Sequence, residues 1–139
     1  GQISRFGDKI VGVVADNDGT GGGAIAAFQA AGVNPVPPVT GNDATIAALQ
    51  LILAGDQYNT ISKPSEIVAG AAADVAVQLL KGETPTADTT LYNTPSKLFV
   101  PAVVTQENLK AEIIDKQIQT PAQLCSDRYA EGCKKLAIQ

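Results

Sequence analysis

The chain has 139 residues, 45% hydrophobic and only 4% aromatic, with 14 acidic residues against 10 basic ones and a formal charge of −4. That is enough for one domain whose core rests on Val, Ile, Leu and Ala, and the interspersed charges, with no basic patch, argue against a nucleic-acid partner. No apolar run approaches the length that spans a bilayer, and an initial Gly in place of Met is the start expected of a processed product or a piece of a longer protein.

Gly1 to Asp8 reads as no more than the tail of a helix. From Val11 to Ala31 an apolar run, a polar tip, a glycine cluster and an alanine-rich run follow one another, which predicts strand, loop and helix. Val11, Val13 and Val14 suit a strand buried on both faces. Asp16, Asn17 and Asp18 then stand at its carboxyl end, where ligands of parallel α/β sheets sit. The helix is expected over 22–31, with Gly32 as its C′ residue.

Two chemistries compete for that loop. Gly19, Gly21 and Ala24 satisfy the G-x-G-x-x-A form of a dinucleotide fingerprint, with Asp43 roughly where a ribose-binding carboxylate falls. Against it, three polar residues separate strand from glycines, and two of them would present negative charge to a phosphate. Pro35 to Val39 is also a poor second strand for such a domain. A purely structural glycine loop is the plain alternative. The tip fits a neutral polyol better, since it offers carboxylate acceptors and an amide, Asn17, able both to donate and to accept.

Val36 and Val39 predict a short strand ending at Thr40-Gly41. Asn42 or Asp43 then caps a helix in which Ile46, Leu49, Gln50 and Leu53 fall three or four apart, closed by Gly55. Tyr58 to Lys63 alternates as a third strand stopped by Pro64, and Pro64-Ser65-Glu66 opens the longest helix, which runs to Lys81 with an Ile67, Ala71, Val75, Leu79 stripe. A short strand is expected at Leu91-Tyr92-Asn93, and a bent or edge strand over 98–104 around Pro101. An amphipathic helix follows over 109–118, and Thr120-Pro121 starts the last segment. Alanine-rich helices against aliphatic strands make the class α/β.

Cys125 and Cys133 bracket Ser126 to Gly132. With no His and no further Cys, a zinc site lacks ligands, and a redox pair would want C-x-x-C spacing. A local disulfide is the most economical reading and implies a compartment outside the cytosol; two free thiols are the alternative. Catalytic machinery is missing as well. There is no His base, no G-x-S-x-G elbow and no S-x-x-K pair, and a calcium loop would need a ligand where Val14 stands. Binding is favoured over enzymatic activity, with no metal and no cofactor expected.

Three segments taken together, VVADNDGTGGGAIAA (13–27), VTGNDATIAALQLILAG (39–55) and TISKP (60–64) with its alanine-rich helix, carry a family resemblance. So does VPAVVTQENL (100–109). The chain resembles the C-terminal part of the periplasmic sugar-binding proteins of ABC importers, and the xylose-binding group in particular. The resemblance implies an α/β, parallel-sheet, three-layer lobe of a type I periplasmic binding protein, present here as an incomplete C-terminal fragment of a two-lobed molecule. On that basis residues 1–60 are the latter part of the C-terminal lobe. Residues 61–95 are a hinge crossing and a helix of the N-terminal lobe, and 96–139 are the return crossing and tail.

By the same resemblance Asn17 is the asparagine that hydrogen-bonds sugar hydroxyls and Asp43 the aspartate that accepts from them. Lys63 stands where ribose-type relatives use glutamine, which points to a xylose-like pentose; its plain reading is a hinge-surface lysine. The implied partners are a monosaccharide, an ABC permease, and the missing N-terminal lobe or another copy of the fragment, in an extracytoplasmic setting, periplasmic or tethered to the cell surface. Val11 to Val14 and the helix 66–80 are then expected to leave apolar surface uncovered. Two other classes stay open at this point: the effector-binding domain of a LacI-type regulator, which shares the two-lobed fold, and a Rossmann-type dinucleotide enzyme.

Overall fold

A computed structural model describes residues 1–139 as two units, one made of residues 1–62 with 102–139 and the other of residues 63–101. The first unit opens with α1 (Gln2–Phe6) and a 3-10 turn at Gly7–Lys9, then an extended stretch leads to α2 (Asp18–Ala30). The expected strand at 11–14 shrinks to one parallel bridge, Val13 with Val39. Neither are its faces both covered, since Val11 is 85% and Val14 94% exposed. A strand is buried on both faces only when layers lie against each, and here Val13 alone turns inward, onto the small cluster of Ala15, Ile25 and Val39.

The glycine cluster lies inside α2 and not in a loop before it, because Asn17 caps the helix: its side chain accepts from the Thr20 amide. Gly21 has a packing reason to be glycine. A Cβ there would come within 2.7 Å of the Thr40 carbonyl oxygen, so only a bare backbone lets α2 approach the 39–43 stretch so closely.

Thr45 caps the next helix, α3 (Ile46–Ala54), by accepting from the Ala48 amide, and Gly55 ends it in the left-handed conformation. The cap falls later than Asn42 or Asp43 because Asp43 and Ala44 have positive φ (109° and 51°), which turns the chain before the helix can begin. Tyr58 donates to the Val39 carbonyl and Asp43 to the Ile61 carbonyl, so residues 39–43 and 58–61 run side by side in the same direction. Three segments therefore end along one edge of unit 1. The last of them is β1 (Thr60–Ser62).

The second unit holds α4 (Ser65–Leu80), none of whose residues is buried, and a hairpin of β2 (Thr89–Leu91) and β3 (Thr94–Ser96). Tyr92 and Asn93, expected in a strand, form the turn instead. Both have positive φ (50° and 63°), the pattern of a two-residue hairpin loop that matches strand twist. Ile67 and Leu79 of the α4 stripe are more than half exposed, and Ala71 and Val75 between them are half-buried.

Back in the first unit, β4 (Ala102–Val104) pairs antiparallel with β1, Thr60 opposite Val104 and Ser62 opposite Ala102. The helix expected over 109–118 narrows to a π-helical turn, Lys110–Ile114, and Gln117 at φ 58° ends any continuation. Two short helices, α5 (Pro121–Leu124) and α6 (Ala130–Lys135), complete the unit, joined by the Cys125–Cys133 disulfide. Leu49, Ile52, Leu53, Val104, Leu109, Ile113, Leu124, Cys133 and Ile138 form its main core. Each large aliphatic side chain there contributes about 1.5–3 kcal/mol on burial. The C-terminal segment thus covers the face of α3, and Gln50 ties the two by donating to the Leu124 carbonyl at 3.3 Å.

Candidate functional site

The edge where the three segments of unit 1 end gathers the polar groups. Asp18 donates its amide to the Asn42 carbonyl at 2.9 Å, and the Asn42 side-chain amide donates to the Asp16 carbonyl at 3.4 Å. These bonds bring the loop carrying Asn17 against the loop carrying Asp43. Thr40 fastens the approach from below, since its hydroxyl accepts from the Ala15 amide (2.9 Å) and donates to the Ala15 carbonyl (3.2 Å).

Asn17 is half-buried, and its oxygen is committed to the helix, accepting from both the amide and the hydroxyl of Thr20 (2.8 and 3.0 Å). That leaves Nδ2 as the side-chain group outside these bonds, in place of the amide in its double role. Asp43 is exposed at the tip of the adjoining turn, with its backbone amide held by the Ile61 carbonyl at 3.0 Å. Lys63, also exposed, is the first residue of the second unit, one position after the buried Ser62 of β1; there it borders a shallow apolar groove with Ile67 and Phe99. Unit 1 thus brings together the loops that carry Asn17 and Asp43, while Lys63 belongs to the other unit.

Asp18 departs from the sequence reading, which grouped it with the acceptors of the tip. It is only 4% exposed and its carboxylate points into the fold. Oδ2 accepts from the Thr45 amide (2.8 Å) and hydroxyl (3.1 Å), and Oδ1 from the Thr60 hydroxyl (2.7 Å) and the Gln57 amide (3.3 Å). Four hydrogen bonds offset the cost of burying the charge. Thr45 and Gln57 were not singled out in the sequence, and Thr60 only as the first residue of the TISKP segment. The one sequence signal was Thr45 standing directly before the apolar run Ile46 to Ala54, the place of a helix cap.

Residues 2–84 match the family described as periplasmic binding protein domain. The D-xylose-binding periplasmic protein of Escherichia coli (strain K12) is 43% identical over 111 residues, which are 77% of this chain and 34% of that protein. The protein of the same description from Haemophilus influenzae is 38% identical over 112 residues, 78% of this chain and 34% of its own. Among solved structures, the carbohydrate transporter solute binding protein from Chloroflexus aurantiacus in complex with D-glucose superposes with a TM-score of 0.69 at 31% identity, covering 81% of this chain and 34% of that one. The chain spans about a third of the length of the curated relatives it matches.

Proposed function

Because the chain belongs to the periplasmic binding protein domain family, we propose that it forms part of the sugar site of an extracytoplasmic binding protein that delivers a monosaccharide to an ABC importer. The observation that supports this reading is the pair of loops hydrogen-bonded to each other at one edge of unit 1, one carrying Asn17 and the other Asp43. A sugar hydroxyl both donates and accepts, so a carboxylate next to an amide N–H answers each role with a separate group. Lys63 adds a charged donor at the point where the chain leaves β1. The relatives named for D-xylose and the one bound to D-glucose support an aldose, xylose-like, as the ligand class.

In this reading residues 1–60 belong to one lobe, 61–95 cross a hinge into the other, and 96–139 return. The remaining ligands and the water-excluding cover come from the second lobe, and a permease receives the loaded protein. Calorimetry with D-xylose on the full-length protein tests it. Asp43→Ala is expected to weaken binding by about 2 kcal/mol, roughly thirty-fold, because a charged acceptor is lost and the sugar hydroxyl that donates to it is left without a partner. The 139-residue chain alone is expected to bind at millimolar concentration or not at all. A few hydrogen bonds to one wet face of a ligand, at about 1 kcal/mol each, do not outweigh the entropy of association. Unchanged affinity in Asp43→Ala removes that residue from the site, and micromolar binding by the chain alone removes the two-lobed reading.

A further inference from the structure

We propose that Asp18 is a positioning residue, which touches no ligand but fixes the turn that presents Asp43; the binding side of this inference rests on Asp43 being a sugar ligand. Asp43 and Ala44 sit in a backbone region that side-chain-bearing residues disfavour, at φ 109° and 51°. Such a turn persists only where its surroundings over-determine it. Three consecutive amides do so here: Asp43 N donates to the Ile61 carbonyl, Ala44 N to the Thr60 hydroxyl (3.1 Å), and Thr45 N to Asp18 Oδ2 (2.8 Å). The last two depend on Asp18, directly or through Thr60, whose hydroxyl hydrogen goes to Oδ1.

The same carboxylate is also fixed to Asn17. It belongs to the next residue, the first of the helix that Asn17 caps. The chain near it is shaped to the carboxylate, since a Cβ on Gly41 would collide with Asp18 Oδ1 and with the Gln57 amide nitrogen. Gln57 in turn cannot be reversed freely, because its nitrogen serves both Asp18 and the Asn59 carbonyl. Donors converge on both oxygens of Asp18, from Thr45 on one and from Thr60 and Gln57 on the other. An asparagine offers a single acceptor oxygen, so whichever way its amide sits, one set of donors faces an NH2 group.

The test uses the full-length protein and two variants. In Asp18→Asn the Ala44 or Thr45 amide is expected to exchange with solvent deuterium about ten-fold faster or more, with Leu49 and Ile52 amides of α3 keeping their rates, as local loosening requires. Gly41→Ala displaces the carboxylate without removing it, and is expected to give the same pattern. A uniform acceleration of all amides, or none at Ala44 and Thr45 in either variant, overturns the positioning role. D-xylose titration supplies the second arm, with Asp43→Ala judging the sugar-site reading separately. Where Asp43→Ala loses binding, Asp18→Asn is expected to weaken it about ten-fold or more, a loss of about 1.4 kcal/mol; unchanged affinity there overturns the proposal. If Asp43→Ala binds normally, the sugar-site reading falls, and the exchange rates still decide whether Asp18 holds the turn.

Discussion

Thr60→Val removes one hydroxyl and keeps the shape of the side chain, which makes its cost readable from the structure. Thr60 is fully buried; its hydroxyl donates to Asp18 Oδ1 at 2.7 Å and accepts from the Ala44 amide at 3.1 Å. Loss of a hydrogen bond to a carboxylate costs about 2 kcal/mol, and a buried N–H left without a partner costs about 1–2 kcal/mol more. The added methyl returns less than about 1 kcal/mol of burial, so the expected net destabilisation is about 3 kcal/mol. Thr60→Ser is the control. It keeps both hydrogen bonds and loses one methyl, at about 1 kcal/mol. Urea unfolding followed by circular dichroism measures both, compared at equal m-value. If the two variants prove equally stable, the Asp18 network does not carry the load assigned to it, and the argument built on it fails.

Asn17→Asp retains an acceptor for the helix cap but replaces the amide donor, so thermal stability is expected to hold while sugar affinity falls in calorimetry; Asn17→Ala loses the cap too, costing about 1 kcal/mol of stability. Reduction of Cys125–Cys133, eight residues apart, is expected to lower unfolding free energy by about 2.5 kcal/mol, seen as a lower urea midpoint with reductant present. Gly132→Ala places a Cβ 2.9 Å from the Leu53 carbonyl oxygen, a backbone atom that cannot rotate away. It is expected to push α6 off α3 and to cost about 1–3 kcal/mol in the same unfolding assay.

What the sequence by itself determined is local. Gly55 ending α3, the start and length of α4, the Thr120-Pro121 opening of α5 and the pairing of Cys125 with Cys133 all depend on chemistry within a few residues of chain. The polar tips after Val14 and Val39 could be read from the sequence as carboxyl ends of strands, although those strands come down to the single Val13–Val39 bridge. Tertiary structure decided the rest. Val11 and Val14 are exposed because covering layers are supplied by other parts of a fold and not by a run of valines. The glycines of α2 look like a loop until Thr40 is seen against Gly21. Asp18 looks like one more acceptor at a polar tip until its donors are found at Thr45 and Thr60, 27 and 42 residues further along. Composition and spacing can announce a carboxylate, but whether it faces solvent, a ligand or the interior depends on which distant donors the fold brings to it, and only the folded chain fixes that.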